Sequence, residues 1–192
     1  MSAFLDWFAT SPGARLAPEP GEGLLDATDP ARRPDPTLFV EGLARCLADL
    51  WALRPDGCPE VDIEARTRPV IEAVRSGMVL DPPYERARRE TVIAQLEQPP
   101  DLAGPRVVTH GSLRLERIWV AKGAAVGFSG WDRAGSAPIE IDLAGAVGSL
   151  GIEYGGEAVA ALLDATGVSP PSPMVLDWCA LLVGLERSLD AR

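Results

Sequence analysis

Lysine is almost missing from this 192-residue chain: Lys122 is the only one, so arginine carries nearly all of the positive charge. The three cysteines, Cys46, Cys58 and Cys179, lie far apart and form no CxxC pair. That spacing excludes a disulfide framework and a zinc site, and it fits a reducing compartment. Positive charge is not in surplus either. A net charge of −10 and a pI near 4.6 argue against nucleic acid or an anionic membrane as partner, because the summed field repels phosphates. No apolar run approaches the roughly eighteen residues of a membrane span, and the N-terminus has no basic segment followed by an apolar run and a small-residue cleavage pattern. A soluble, cytoplasmic protein is expected.

What is present is ordinary for a globular chain: 46% hydrophobic and 24% charged residues, in a length that suits about one domain. Ala3–Ala9 is short, apolar and aromatic, and is expected as a brief helix or an extended edge that something must cover. Thr10–Pro36 is dense in proline and glycine and reads as an irregular connector. From Thr37, a candidate N-cap, apolar residues recur at helical spacing through Leu53. Further helices are expected over Ile63–Ser76 and from about Tyr84 to Glu97. Arg106–Thr109 reads as a buried strand, and Arg117–Val120 with Ala125–Ser129 as a hairpin turning at Lys122-Gly123. Helices return over Leu143–Leu150, Gly156–Thr166 and Pro173–Leu189. The fold class is α+β, mostly α, with helices around a small β-hairpin element. Residues 1–36 form a hinge-like N-terminal segment with its connector, and residues 37–192 a helical domain.

Residues 107–142 contain VVTHG, then IWV six residues later, then VGFSGWDRAGSAPIEIDLA. This cassette resembles the aminoglycoside phosphotransferases of the kanamycin-kinase type, whose core reads roughly VVTHGDxxxxNxxV and GFIDxGRxGxADxxxDLA. LADLWALRPDGCP and SGMVLDPPYERARRE also resemble family segments, and FATSPG loosely resembles the hinge between the two lobes. The resemblance implies a protein-kinase-like C-lobe with the N-lobe absent. The family's N-lobe covers ATP and supplies a phosphate-gripping lysine.

The resemblance also locates departures. The family's catalytic aspartate aligns with Ser112, its metal-binding asparagine with Arg117, and its second metal ligand, an aspartate, with Gly130. A neutral hydroxyl is a poor base, and loss of a positioned base typically costs on the order of 10²–10⁴ in rate. A guanidinium offers only donors and a fixed positive charge, so it repels magnesium. Asp132 lies about 6.6 Å further along an extended segment than residue 130, too far to replace a ligand directly. ATP and magnesium are the family's cofactors, but no cofactor or metal is expected to bind here.

Other positions of the cassette remain as candidates. His110 is expected to bond backbone and hold its turn, Asp142 to cap the following helix, and Asp132 to be solvated or paired with Arg133. Arg117 is expected to pair with Glu116 or Asp132. With Arg114 nearby it is also a candidate for direct binding of phosphate or carboxylate. The tryptophans are expected in the core, Trp51 standing where the family has a histidine. The resulting expectation is a catalytically inactive phosphotransferase-like protein acting through protein contacts, with Phe4, Leu5, Trp7 and Phe8 as the candidate surface. The alternatives are a non-catalytic binder of a nucleotide, anion or aminoglycoside, and an active phosphotransferase.

Overall fold

The computed structural model describes residues 3–10, 34–80, 84 and 86–190. Most of the expected proline-rich connector lies outside the described residues. Seven helices are described: α1 (Ala3–Thr10), α2 (Pro36–Trp51), α3 (Ile63–Arg75), α4 (Arg89–Leu96), α5 (Glu140–Tyr154), α6 (Gly156–Thr166) and α7 (Pro173–Asp190). The strands form two separate antiparallel pairs. β1 (Arg106–Thr109) pairs with β4 (Gly135–Pro138), and β2 (Ile118–Ala121) pairs with β3 (Ala124–Phe128). The α+β, mostly α architecture therefore stands, but its β part is two ribbons rather than one hairpin.

Two hydrophobic clusters divide the interior. One joins α1, α2 and α6 to the β2–β3 hairpin through Phe39, Leu43, Leu47, Ile118, Phe128 and Leu162. The other joins α3, α4 and α7 through Val70, Val74, Val92, Leu96, Trp178 and Leu182. Helix α5 contributes to both, with Leu150 in the first and Ile141 and Ala144 in the second. It is buried on most sides at its start, so its apolar residues follow no single stripe. Among the described residues no helix is long and apolar enough to cross a membrane.

The ends of elements depart from the sequence pattern for identifiable reasons. Asp35, not Thr37, caps α2: its carboxylate accepts from Thr37 N and Leu38 N at 2.9 and 3.2 Å, with Pro36 occupying a first-turn position that needs no N–H donor. Asp35→Ala is expected to cost about 0.5–2 kcal/mol, measured as a shift in the denaturation midpoint. Helix α4 starts at Arg89 rather than near Tyr84, and Arg88 before it makes no side-chain cap. The hairpin turn is where expected, with Lys122 and Gly123 both at positive φ, the geometry of a tight primed turn.

Helix α1 corrects one expectation directly. Phe4 and Phe8 are only 2% and 5% exposed. Both pack on Trp131, whose ring stacks on Phe4 at 5.7 Å and meets Phe8 at 6.0 Å. Trp7 Nε1 donates to Asp56 O at 2.9 Å. The four apolar residues of α1 therefore do not form one open face: two are core, and Leu5 and Trp7 are half-buried.

Candidate functional site

The cassette is centred on the turn that follows β1. His110 is fully buried. Its Nε2–H donates to Ser129 O at 2.8 Å, while Nδ1 accepts from Ser112 N at 3.3 Å. These two contacts together require the neutral tautomer with the proton on Nε2. Phe128 and Trp131 enclose the ring at 5.7 and 4.8 Å between centroids. Burial pushes the imidazole pKa down to about 4.

Asp142 does something other than cap its helix. The residue preceding α5 is Ile139, and Asp142 lies in the first turn with its carboxylate turned back toward the β1 turn. There Oδ2 accepts from His110 N at 2.9 Å and Oδ1 from Gly111 N at 2.8 Å. Trp51 Nε1, at the family's histidine position, donates to Oδ2 at 3.4 Å. Burial raises this carboxyl to about 6 against the opposing pull of those N–H donors. His110 and Asp142 thus use these polar atoms on the protein itself.

Gly111 explains why this turn carries glycine. Its φ is +81°, and a Cβ there would lie 2.0 Å from Arg133 O. On its other side, Arg66 Nη2 donates to Gly111 O at 2.8 Å. The same guanidinium forks onto Glu186 of α7, Nε to Oε1 at 2.9 Å and Nη2 to Oε2 at 2.6 Å. Arg133 adds Nη1 to Glu186 at 3.2 Å and Nη2 to Asp190 at 2.6 Å. This network clamps the turn between α3 and α7. It was not legible in the sequence, because its members are up to 120 residues apart.

The three degenerate positions come together as follows. Ser112 is 2% exposed and sits at the end of the His110 turn. Arg117, in a single 3-10 turn at Leu115–Arg117, reaches across to the loop after β3. Its Nη1 donates to Gly130 O at 2.5 Å and to Asp132 Oδ1 at 2.8 Å. Gly130 has φ +76°, and a Cβ built on it would sit 2.8 Å from Arg117 Nη1. The missing side chain at 130 is therefore the space the guanidinium occupies. Asp132 pairs chiefly with Arg117, and Arg133 Nε is 3.8 Å away.

Magnesium requires oxygens at about 2.1 Å in near-octahedral array. Here Gly130 O and Asp132 Oδ1 both accept from a fixed cation, so these residues do not fit a magnesium ion. Arg114, the remaining candidate, is half-buried and lines a groove between α5 and α7.

Comparison with known proteins places the arrangement. The sequence model of a phosphotransferase enzyme family matches residues 10–179. No curated protein matches the chain. An aminoglycoside phosphotransferase from Streptomyces rimosus is similar in structure with TM-score 0.66 at 21% identity, over 85% of this chain and 66% of that one. An aminoglycoside-3'-phosphotransferase of type VIII is similar with TM-score 0.65 at 24% identity, over 89% and 66%. A macrolide 2'-phosphotransferase from Brachybacterium faecium is similar with TM-score 0.58 at 20% identity, over 92% and 62%. At these identities the likeness is one of fold, and the chain spans 66% or less of the length of each of the three.

Proposed function

The chain belongs to the phosphotransferase enzyme family, and from that premise we propose that it is a catalytically inactive member whose cassette serves as a scaffold for contact with another protein or a second copy. One observation carries the reading: the Arg117 guanidinium bridges Gly130 O and Asp132. Where the family resemblance calls for a divalent cation between two oxygen ligands, this chain holds a monovalent one covalently. The replacement at 130 makes room for the replacement at 117, so the two act as one coupled change. Ser112 adds a hydroxyl too weakly basic to accept a proton near neutral pH.

Retained shape supports the scaffold half of the reading. The His110, Gly111, Asp142 and Glu186 bonds hold the turn from within the protein. With Phe4 and Phe8 packed inside, the exposed apolar residues nearest the hairpin are Leu38, 50% exposed, and Val126, 39% exposed. A Cβ on Gly123 would lie 3.9 Å from Leu38, so the turn and α2 share that surface.

The test is a phosphate-transfer assay with ATP, magnesium and a panel of aminoglycosides, run beside an active relative. The expected result is no transfer above background and no difference between the wild-type chain and Ser112→Ala. Reproducible transfer above background would overturn the inactive reading, whether or not it survives Ser112→Ala. For the contact surface, sedimentation of the wild type and of Leu38→Glu is compared across a concentration series. Association weakened by Leu38→Glu is expected. A monomer at every concentration, with no partner captured through this face, removes the scaffold role.

A further inference from the structure

The groove between α5 and α7 holds about 560 Å³ and lies outside positions 112, 117 and 130. Its walls are largely small and apolar, with Ala144, Gly145, Gly148, Ala180, Val183 and Gly184 along the two helices. The Tyr84 ring lies against Gly184, where a Cβ would be 2.8 Å from Cε2. Ser149 Oγ donates to Gly145 O at 2.7 Å and Ser188 Oγ to Gly184 O at 3.3 Å, so both hydroxyl protons are taken up by their own helices. The donors left to the groove are the Tyr84 hydroxyl and the guanidinium groups of Arg114 and Arg187.

Arg114 is the unusual member. It is half-buried, its Nε is buried without a hydrogen-bond partner, and among the described residues it makes no ion pair. The nearby acids are engaged elsewhere: Glu116 pairs with Arg187 at 3.4 Å and Asp190 with Arg133 at 2.6 Å. Burial lowers its pKa and Arg117 and Arg187 oppose its charge, an effect that Glu116 and Asp190 offset only in part. A partly desolvated cation beside two others is costly without an anion. Guanidinium forks match carboxylate and phosphate in geometry. In a chain of net charge −10, such a concentration of arginines is local rather than a reflection of overall composition.

We propose that this groove binds a small amphipathic anion, its phosphate or carboxylate held by Arg114 and Arg187 and its apolar body lying between α5 and α7. This goes beyond the inactive-scaffold reading and does not depend on it, since it needs neither transfer nor a protein partner. The exposed Arg187–Glu116 pair, 62% and 44% exposed, is weak enough to exchange for a better anion.

Calorimetric titration tests it with compounds that share one body: 1-naphthyl phosphate, 1-naphthoate, 1-naphthol and 1-naphthylmethylammonium, with inorganic phosphate as the headgroup alone. Two variants separate headgroup from body. Arg114→Gln removes the charge. Gly148→Leu fills the groove, since a Cβ at Gly148 meets nothing within 4 Å and leucine favours a helix over glycine. The two naphthyl anions are expected to bind, about tenfold or more tightly than the naphthol or phosphate. Arg114→Gln should weaken them by a similar factor, and Gly148→Leu should abolish them while circular dichroism shows an unchanged fold. Preference between the two anions then tells a phosphate monoester from a carboxylate ligand. Equal binding of neutral or cationic compounds, equal binding of inorganic phosphate, indifference to both substitutions, or no binding of either anion at millimolar concentration would each overturn the proposal.

Discussion

Glu186→Ala is expected to lower the stability of the domain by about 3–5 kcal/mol, the cost of breaking a buried ion pair from one side. The carboxylate is 1% exposed and accepts from two arginines, Arg66 and Arg133, whose side chains are 9% and 21% exposed. Removing it leaves the buried Arg66 without its ion-pair partner, while Arg133 keeps Asp190 at 2.6 Å. Its loss also frees Arg66, whose Nη2 holds Gly111 O at 2.8 Å, so the turn at residues 110–112 loses one of its anchors. Against a typical total of about 5–15 kcal/mol, that is a large fraction. Urea denaturation monitored by tryptophan fluorescence measures it. A midpoint shift worth less than about 1 kcal/mol would mean the network behaves as a surface pair and does not clamp the turn. The double variant Arg66→Met with Glu186→Leu should recover much of the loss, because a whole buried pair can be exchanged for apolar side chains at little cost.

His110 and Asp142 are expected to carry large and opposite pH dependences that hide each other. Asp142 has a folded pKa of about 6 against an ordinary 3.8. Its stabilisation is fully present below pH 4 and lost as pH rises through 6. His110 has a folded pKa of about 4 against an ordinary 6.5. Its stabilisation is present above pH 6.5 and lost as pH falls through 4. Between pH 4 and 6 the folded chain holds the Asp142 proton and lacks the His110 proton, while the unfolded chain does the reverse. The proton counts match, and the two slopes cancel. Each alone is worth about 3 kcal/mol at 1.36 kcal/mol per tenfold change. His110→Gln should therefore expose a stability that falls as pH rises from 4 to 6. Asp142→Asn should expose one that falls as pH drops from 6.5 to 4. Denaturation of wild type and variant at matched pH, read as their difference, isolates the group removed. Differences that stay constant across the window would show that neither pKa is displaced in the folded chain.

Both results depend on contacts that residue identities alone could not specify. Helical periodicity made α2, α3, α6 and α7 legible, and turn chemistry placed the hairpin at Lys122-Gly123. Strand β4 is not legible in the sequence, because Gly135-Ser136-Ala137-Pro138 has no β-branched or aromatic residue. It is a strand only because β1 pairs with it and the Pro59–Val61 segment bonds Ser136 from its other side. The aromatic residues of α1 need a cover, and the cover is Trp131, more than a hundred residues away along the chain.

The sequence by itself determined the family, the helical framework and the identities at 112, 117 and 130, because these depend on local pattern and on residue type at fixed spacing. Only the tertiary structure decided what those residues do. Asp142 turns from its own helix to the His110 turn, where the N–H groups of His110 and Gly111 satisfy its buried carboxylate. Arg117 fills the space left at Gly130 because a long side chain can cross between loops that pairing brings together. Among the described residues Arg114 forms no ion pair, because the neighbouring Glu116 and Asp190 are engaged by Arg187 and Arg133. Each outcome is a competition between groups distant in sequence, and it is resolved only when packing sets which of them meet.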